Sequence, residues 1–210
     1  INKSLMKAFI SSFLILLISF YSFYFFKMNN YENIIENCKN ITYQKSNNIE
    51  YLKPNNIDIV IALGDSITAG FGIQGISGLD NEYRGRSWSI GGENNQITLP
   101  NFIKYYNPNL KGYSIGNHSA EVCISKNCNT KYHKNDNYNL AQSGAKTNNL
   151  IYQIHHLEKI ISADFKKKWK LITILIGAND LCGICNNNNI NLKEYEYDLR
   201  KALVLLKKKF

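Results

Sequence analysis

Apolar and polar positions from residue 57 onward follow the pattern of strands that alternate with helices. Residues 57–63 form a nearly continuous β-branched run that ends at Gly64, typical of a buried parallel strand, and residues 171–176 form a clearer one. A shorter strand is predicted at 138–141. Two helices, the first with Thr147 as its predicted N-cap, are indicated by apolar residues at helical spacing: Leu150, Ile154, Leu157 and Ile161, then Leu192, Tyr195, Leu199, Ala202 and Leu206. This order predicts the α/β fold class, with a parallel sheet and right-handed crossovers.

A long insertion separates the first two predicted strands. It runs from about residue 71 to 136, is rich in Gly, Tyr and Asn, and has Trp88 in its middle. This is too long for a plain crossover. Long excursions at the carboxyl edge of a sheet often form lids or substrate walls, and Asn-rich padding is an equally good interpretation.

The amino-terminal segment is apolar and uncharged from residue 8 to 26, with Lys3 and Lys7 before it and Lys27 after it. Nineteen helical residues reach about 28 Å, close to the hydrocarbon thickness of a bilayer. Residues 1–26 therefore predict a cleaved signal peptide or an uncleaved signal-anchor, and a buried core helix is the minor alternative. The lysine bias predicts translocation of the remainder, which is then secreted or membrane-anchored and facing the lumen or cell exterior.

Residues 27–55 are polar and Asn-rich and are interpreted as a linker, which leaves 56–210 as the domain. The composition, with 44% hydrophobic and 12% aromatic residues, excludes wholesale disorder. The net charge of +9 comes partly from lysine clusters at 166–168 and 207–209. Solvated helix ends are the favoured interpretation and an anionic membrane surface is the alternative. Nucleic acid is not predicted as a partner, because no nucleic-acid motif accompanies the charge.

Five cysteines fall in the exported part of this prediction. Cys123 and Cys128 are close in sequence, as are Cys182 and Cys185, and Cys38 is left over. Disulfides are favoured in an oxidising compartment, and a four-cysteine zinc site is the alternative.

Each predicted strand is followed at once by a short polar motif: Gly-Asp-Ser at 64–66, Ser-Gly at 143–144 and Gly-Ala-Asn-Asp at 177–180. The carboxyl ends of parallel strands lie at one edge of a sheet, with neighbouring strands about 4.8 Å apart, so the three motifs are expected within about 10 Å. Open α/β sheets bind their ligands at this edge.

The residue types at this edge suit acyl transfer. Ser66 on a strand-to-helix turn is placed as an exposed nucleophile, and its own N–H can face a developing oxyanion. Gly144 lets its N–H approach a ligand closely, and Asn179 offers an uncharged amide donor. Ester hydrolysis is therefore predicted. Taken singly, Ser66 is equally well interpreted as a helix N-cap, and Asn179 is better interpreted as a turn residue or C-cap.

Several stretches resemble the GDSL or SGNH hydrolases, and within them the phospholipase B-like lipases. The resemblance covers about residues 52–210, and its supporting stretches are IDIVIALGDSITAG at 57–70, YRGRSWSIGG at 83–92, TLPN at 98–101, NPNLKGYSIG at 107–116 and WKLITILIGANDLCGIC at 169–185. It implies a flavodoxin-like three-layer fold and no metal or cofactor. It also implies Ser66 as the nucleophile and an oxyanion hole of the Ser66 N–H, the Gly144 N–H and the Asn179 side chain. The implied substrates are acyl esters of phospholipids and lysophospholipids, at a membrane surface.

One departure from the family concerns the catalytic base. The family places it in an Asp-x-x-His motif, and no aspartate of this chain has a histidine three residues later. The resemblance also implies about five parallel strands where three are predicted, so the last strand has a bare edge. The chain is therefore predicted to be the N-terminal part of such a lipase, incomplete at its C-terminus and inactive alone. The alternatives are an esterase for acetylated glycans or thioesters, and a catalytically dead, membrane-anchored lipid-binding protein.

Overall fold

The computed structural model describes residues 46–76, 80–124, 128, 131–182 and 192–210. All of them belong to the compact unit Gln44–Phe210. The predicted signal or anchor segment lies outside the described residues, as does most of the predicted linker. Among the described residues, no helix has the length and apolar character needed to cross a bilayer.

The first strand, β1, is Ile59–Gly64, and all six of its residues are buried. Its apolar, β-branched sequence suits a position covered on both faces. The last strand, β4 (Lys170–Leu175), pairs with it in parallel, with Ile59 opposite Lys170 and Gly64 opposite Leu175. In the described part of the chain, β4 pairs only with β1, and Leu175 is 40% exposed.

The opposite edge of β1 is covered by two separate pieces of chain. Lys111 forms a parallel bridge to Ile59, and Asn139 forms one to Ala62. Tyr138 N donates to the carbonyl of Gly112 at 3.0 Å, so the second piece continues where the first stops. The strand predicted at 138–141 is thus present as a short paired segment, and the regular ladder is absent because the chain leaves the sheet between the two pieces.

Helices cover both faces of β1. On one face Ile59, Ile61 and Leu63 pack with the helices Leu150–Ile160 (α3) and Leu192–Lys209 (α6). On the other face Val60 and Ala62 pack with the helix Leu99–Tyr106 (α2). This alternation follows from the period of two in a strand. The predicted α/β arrangement with a parallel sheet is confirmed.

The insertion is part of the folded core. It supplies α2 and two short strands, β2 (Asn81–Glu82) and β3 (His118–Ser119), which pair antiparallel. It also supplies fully buried charged side chains, among them Arg84 and Asp136. These buried residues anchor the insertion in the domain.

Three single-turn helices complete the α-helices of the described residues: α1 (Ser66–Ala69), α4 (Ala163–Lys166) and α5 (Ala178–Leu181). The positions predicted for the helix face at 150–161 are all buried. The prediction that Thr147 is the N-cap of α3 is wrong. A 3₁₀ turn at Thr147–Asn149 leads directly into that helix, and Asn149 is its N-cap. The end of the predicted linker, from residue 46, contacts the domain, where the Trp169 indole donates to the Ser46 carbonyl at 2.7 Å.

Candidate active site at the carboxyl edge of the sheet

Ser66 is the first residue of α1, directly after β1. The N-cap of this turn is Asp65, whose carboxylate accepts from Ile67 N at 3.0 Å. Ser66 is therefore not needed as the cap, and its side chain is half-buried, open enough to meet a substrate. Asp65 is only 1% exposed, and this burial raises the pKa of its carboxyl group.

A buried glutamine fixes the backbone ahead of Ser66. Gly64 N donates to Gln153 Oε1 at 2.9 Å, and Gln153 Nε2 donates back to the Gly64 carbonyl at 2.8 Å. Gly64 has a φ of +156°, and a Cβ there would lie 2.4 Å from the Leu175 carbonyl oxygen. Sequence reasoning missed Gln153. The sequence does contain an indication of this role, because Gln153 is a polar residue on the apolar face of α3, between Leu150 and Leu157.

The second motif lies beside the first. Gln142 N donates to the Gly64 carbonyl at 3.2 Å, so the chain that leads to Gly144 runs along the end of β1. Gly144 has a φ of +78°, and a Cβ there would lie 2.9 Å from the carbonyl oxygen of Cys123. Only glycine fits this turn without displacing that neighbour.

The third motif is bound to the second. Asn179 Nδ2 donates to the Ala145 carbonyl at 2.8 Å, next to Gly144. The Asp180 carboxylate accepts from Thr147 N at 3.1 Å and from the Thr147 hydroxyl at 2.7 Å. The hydroxyl that was expected to cap α3 thus ties two motifs together. The three segments predicted to converge are linked by these hydrogen bonds.

The four histidines have other partners. His118 and His133 stack with ring centroids 4.1 Å apart, and His156 stacks on Tyr132. His155 is exposed and lies 3.6 Å from a Glu158 oxygen. Within the described ranges, none of them hydrogen-bonds Ser66.

Cys123 and Cys128 form a disulfide with a Cα–Cα distance of 4.6 Å. Cys182 is exposed and Cys185 lies outside the described residues, as does Cys38. Since a disulfide has no thiolate to offer, Cys123 and Cys128 do not suit the alternative zinc site. In the parts of the chain that the structure describes, no group of His, Cys, Asp and Glu side chains is arranged to hold a metal ion.

His118 and Asp136 form a hydrogen-bonded pair, with His118 Nε2 3.2 Å from Asp136 Oδ1. This bond raises the pKa of His118 against the opposing effect of burial. Burial by itself raises the pKa of Asp136, but the bond to His118 and the charge of Arg84 outweigh it and lower that pKa overall. A Glu82 carboxylate oxygen also lies 3.8 Å from His118 Nε2.

These shifts predict a pH-dependent contribution to stability. The part from His118 is fully present below the unfolded histidine pKa of about 6.5 and is lost as the pH rises through the raised folded pKa. The part from Asp136 is present above about pH 3.9 and is lost as the pH falls through the lowered folded pKa. In urea titrations, His118→Gln should therefore cost more unfolding free energy at about pH 5 than at about pH 8.5.

The matched control is His155→Gln, because His155 lies in an exposed pair of the kind that stabilises little. It should change the unfolding free energy slightly at either pH. Equal losses for His118→Gln at the two pH values would contradict the assignment.

A parallel sheet covered by helices, with a half-buried serine and two amide-bearing turns at its carboxyl edge, defines the chain as an α/β protein. The chain belongs to the GDSL-like lipase/acylhydrolase family, whose model matches residues 60–210. The predicted resemblance to its phospholipase B-like branch is confirmed by the relatives.

The relatives are proteins named "Phospholipase B1, membrane-associated". The mouse protein is 37% identical over 160 residues, which is 70% of this chain and 10% of the relative. The human protein is 37% identical over 161 residues, 71% of this chain and 10% of the relative. The chain thus spans about a tenth of the length of these relatives. No solved structure matches it.

Proposed function

We propose that this polypeptide carries the nucleophile, Ser66, and the oxyanion hole of a carboxylic ester hydrolase of phospholipids and lysophospholipids, in a flavodoxin-like three-layer fold. The observation that supports it most is the linkage of the three motifs at one sheet edge. Gln142 N binds the Gly64 carbonyl, and Asn179 Nδ2 binds the Ala145 carbonyl. The names of the relatives supply the substrate class.

In the proposed reaction, Ser66 Oγ bonds to the acyl carbon of the ester, and the carbonyl electron pair moves to its oxygen. The resulting oxyanion accepts from the N–H groups of Ser66 and Gly144 and from Asn179. The serine proton passes to a base and from there to the alcohol oxygen, so that collapse of this intermediate releases the alcohol and leaves an acyl-Ser66 ester. Water then hydrolyses this ester to the free acid and restores the Ser66 hydroxyl. Each such donor typically stabilises the transition state by about 3 kcal/mol.

The bond from Asn179 to Ala145 is compatible with this role. An amide nitrogen carries two hydrogens, so one holds the group in place while the second is directed at substrate. Preorganised donors stabilise a developing charge without reorganising during the reaction.

The serine proton requires a base. None of the four histidines bonds to Ser66 in the described ranges, and residues 1–210 contain no Asp-x-x-His motif. A peptide of residues 1–210 alone should then show little or no turnover, because an unassisted hydroxyl is a weak nucleophile.

We also place the protein at a membrane surface on the secretory route. Three observations support this: the apolar segment at 8–26, the disulfide between Cys123 and Cys128, and the words "membrane-associated" in the names of the relatives. Disulfides persist mainly in oxidising compartments.

The substrate class is tested by offering the intact gene product a lysophospholipid, an acetylated glycan and a short aryl ester. Fatty-acid release from the lysophospholipid should be fastest, and a fluorophosphonate adduct should map to Ser66 by peptide mass spectrometry. Release of acetate from the glycan alone would favour the esterase alternative. Vesicle binding without release of any acid, and without an adduct, would favour the lipid-binding alternative.

A further inference from the structure

We propose that Arg84 and Glu82 are positioning residues of the oxyanion hole. They hold residues 139–143, termed here the approach segment, so that the backbone N–H of Gly144 stays directed at the substrate carbonyl. The proposal rests on the proposed function, where Gly144 is an oxyanion donor. It is carried by the hydrogen bonds on the two sides of the approach segment.

One side of the approach segment, together with Tyr138 just before it, is hydrogen-bonded to β1; we call this the inner side. The Tyr138 carbonyl accepts from Ala62 N at 3.0 Å, and Leu140 N donates to the Ala62 carbonyl at 2.8 Å. Gln142 N then reaches the Gly64 carbonyl. Since alternate residues of a strand face alternate directions, the carbonyls between these positions point outward. In a regular sheet, a further strand would hydrogen-bond to these outward carbonyls.

Arg84 binds the outer side here. Its Nη1 donates to the Asn139 carbonyl at 2.9 Å, and its Nη2 donates to the Ala141 carbonyl at 2.8 Å. One guanidinium thus satisfies two successive outward carbonyls. A lysine keeps the charge but has no planar fork of donors, so it does not reproduce this arrangement.

Glu82 extends the same support to Ser143. Glu82 Oε2 accepts from Arg84 Nε at 2.9 Å and from Nη2 at 2.7 Å, and its other oxygen accepts from the Ser143 hydroxyl at 2.6 Å. The side chains of Arg84 and Glu82 are 3% and 1% exposed. The pair therefore contacts positions 139, 141 and 143 of the approach segment from a site without solvent.

The approach segment ends one residue before Gly144, whose N–H is to be placed. Ser143 directly precedes Gly144, and its carbonyl accepts from Cys123 N at 2.7 Å on another side. Catalytic geometry is sensitive to small shifts, and a displacement of about 1 Å commonly lowers a rate by about 100-fold. Loosening the segment should therefore lower kcat more than it raises KM, because the ground-state ester binds elsewhere as well.

The test uses the intact gene product with Arg84→Lys and, separately, Ser143→Ala. We expect kcat to fall by about 10- to 100-fold for Arg84→Lys, with KM within about twofold of wild type. Ser143→Ala, which removes one hydrogen bond, should give a smaller fall in the same direction. Amide hydrogen exchange should accelerate across residues 139–145 in both variants.

The matched control is Arg86→Lys, two residues away. Its guanidinium is 36% exposed and binds Glu93 at 2.9 Å, and no hydrogen bond described for it reaches the approach segment. This variant should keep wild-type kcat and exchange. Comparing the two variants distinguishes the loss of the two Arg84 hydrogen bonds to the approach segment from any effect that replacing an arginine in this turn has on kcat.

An Arg84→Lys protein that folds and keeps wild-type kcat and exchange would overturn the proposal. If Arg84→Lys does not fold, Ser143→Ala carries the same comparison, and unchanged kcat and exchange there would overturn it as well. Full activity of Ser66→Ala would refute the proposed function instead. Exchange at 139–145 would then still decide whether Arg84 holds the segment.

Discussion

Ser66→Ala is expected to remove ester hydrolysis by the intact gene product, lowering kcat by about 10⁶-fold while leaving KM nearly unchanged. The substitution deletes the atom that attacks the acyl carbon of the ester in the proposed reaction. It leaves Asp65 as the cap of α1, so the fold of the turn is retained. The measurement is steady-state release of fatty acid, together with fluorophosphonate labelling, which should disappear in parallel.

The matched control is Ser119→Ala in β3, since that serine is exposed and lies in the insertion. It should retain both hydrolysis and labelling. Labelling that persists in Ser66→Ala would identify another nucleophile and reject the proposed mechanism.

Gln153→Leu should give the largest loss of stability among the substitutions considered. It leaves the N–H of Gly64 without its partner in a site that is fully buried, and it removes the amide donor to the Gly64 carbonyl. The Gly64 carbonyl keeps its bond from Gln142 N, so the N–H is the group left unpaired. An unpaired buried polar group costs about 1–3 kcal/mol, which is the loss expected here. Urea unfolding followed by circular dichroism measures it.

His155→Leu provides the comparison on the same helix. Its side chain is 53% exposed, so the same kind of replacement should alter the unfolding free energy by less than about 1 kcal/mol. Similar losses for the two variants would show that Gln153 does not act through Gly64. Because Gly64 lies two residues before Ser66, Gln153→Leu should also lower kcat at temperatures where the protein is folded.

Local periodicity was sufficient to predict β1, β4 and the buried face of α3. Each of these elements carries its pattern within a short stretch, such as the apolar run of β1 or the helical spacing from Leu150 to Leu157. The convergence of the three motifs could also be predicted, because the carboxyl ends of parallel strands meet at one edge.

The polar contacts that hold the site were not predictable in the same way. Gln153 and Gly64 are 89 positions apart, and Arg84 and Ala141 are 57 apart. Such pairs produce no periodic pattern in the sequence, and the sequence does not distinguish a buried arginine from a solvated one. The two-piece partner of β1 was missed for a related reason, since Lys111 stands in a polar stretch that has no strand pattern.

The position of β1 has a consequence for how the protein is made. All six of its residues are buried, and among the described residues one of its two edges is covered by β4 alone, where Thr173 bonds to the Ile61 carbonyl across 112 positions of sequence. At about 5–20 residues per second, a ribosome needs roughly 6–22 s to extend the chain from one to the other. Throughout that interval an apolar strand has left the ribosome with an open edge. Nascent-chain chaperones should therefore crosslink near residues 59–64 until β4 emerges.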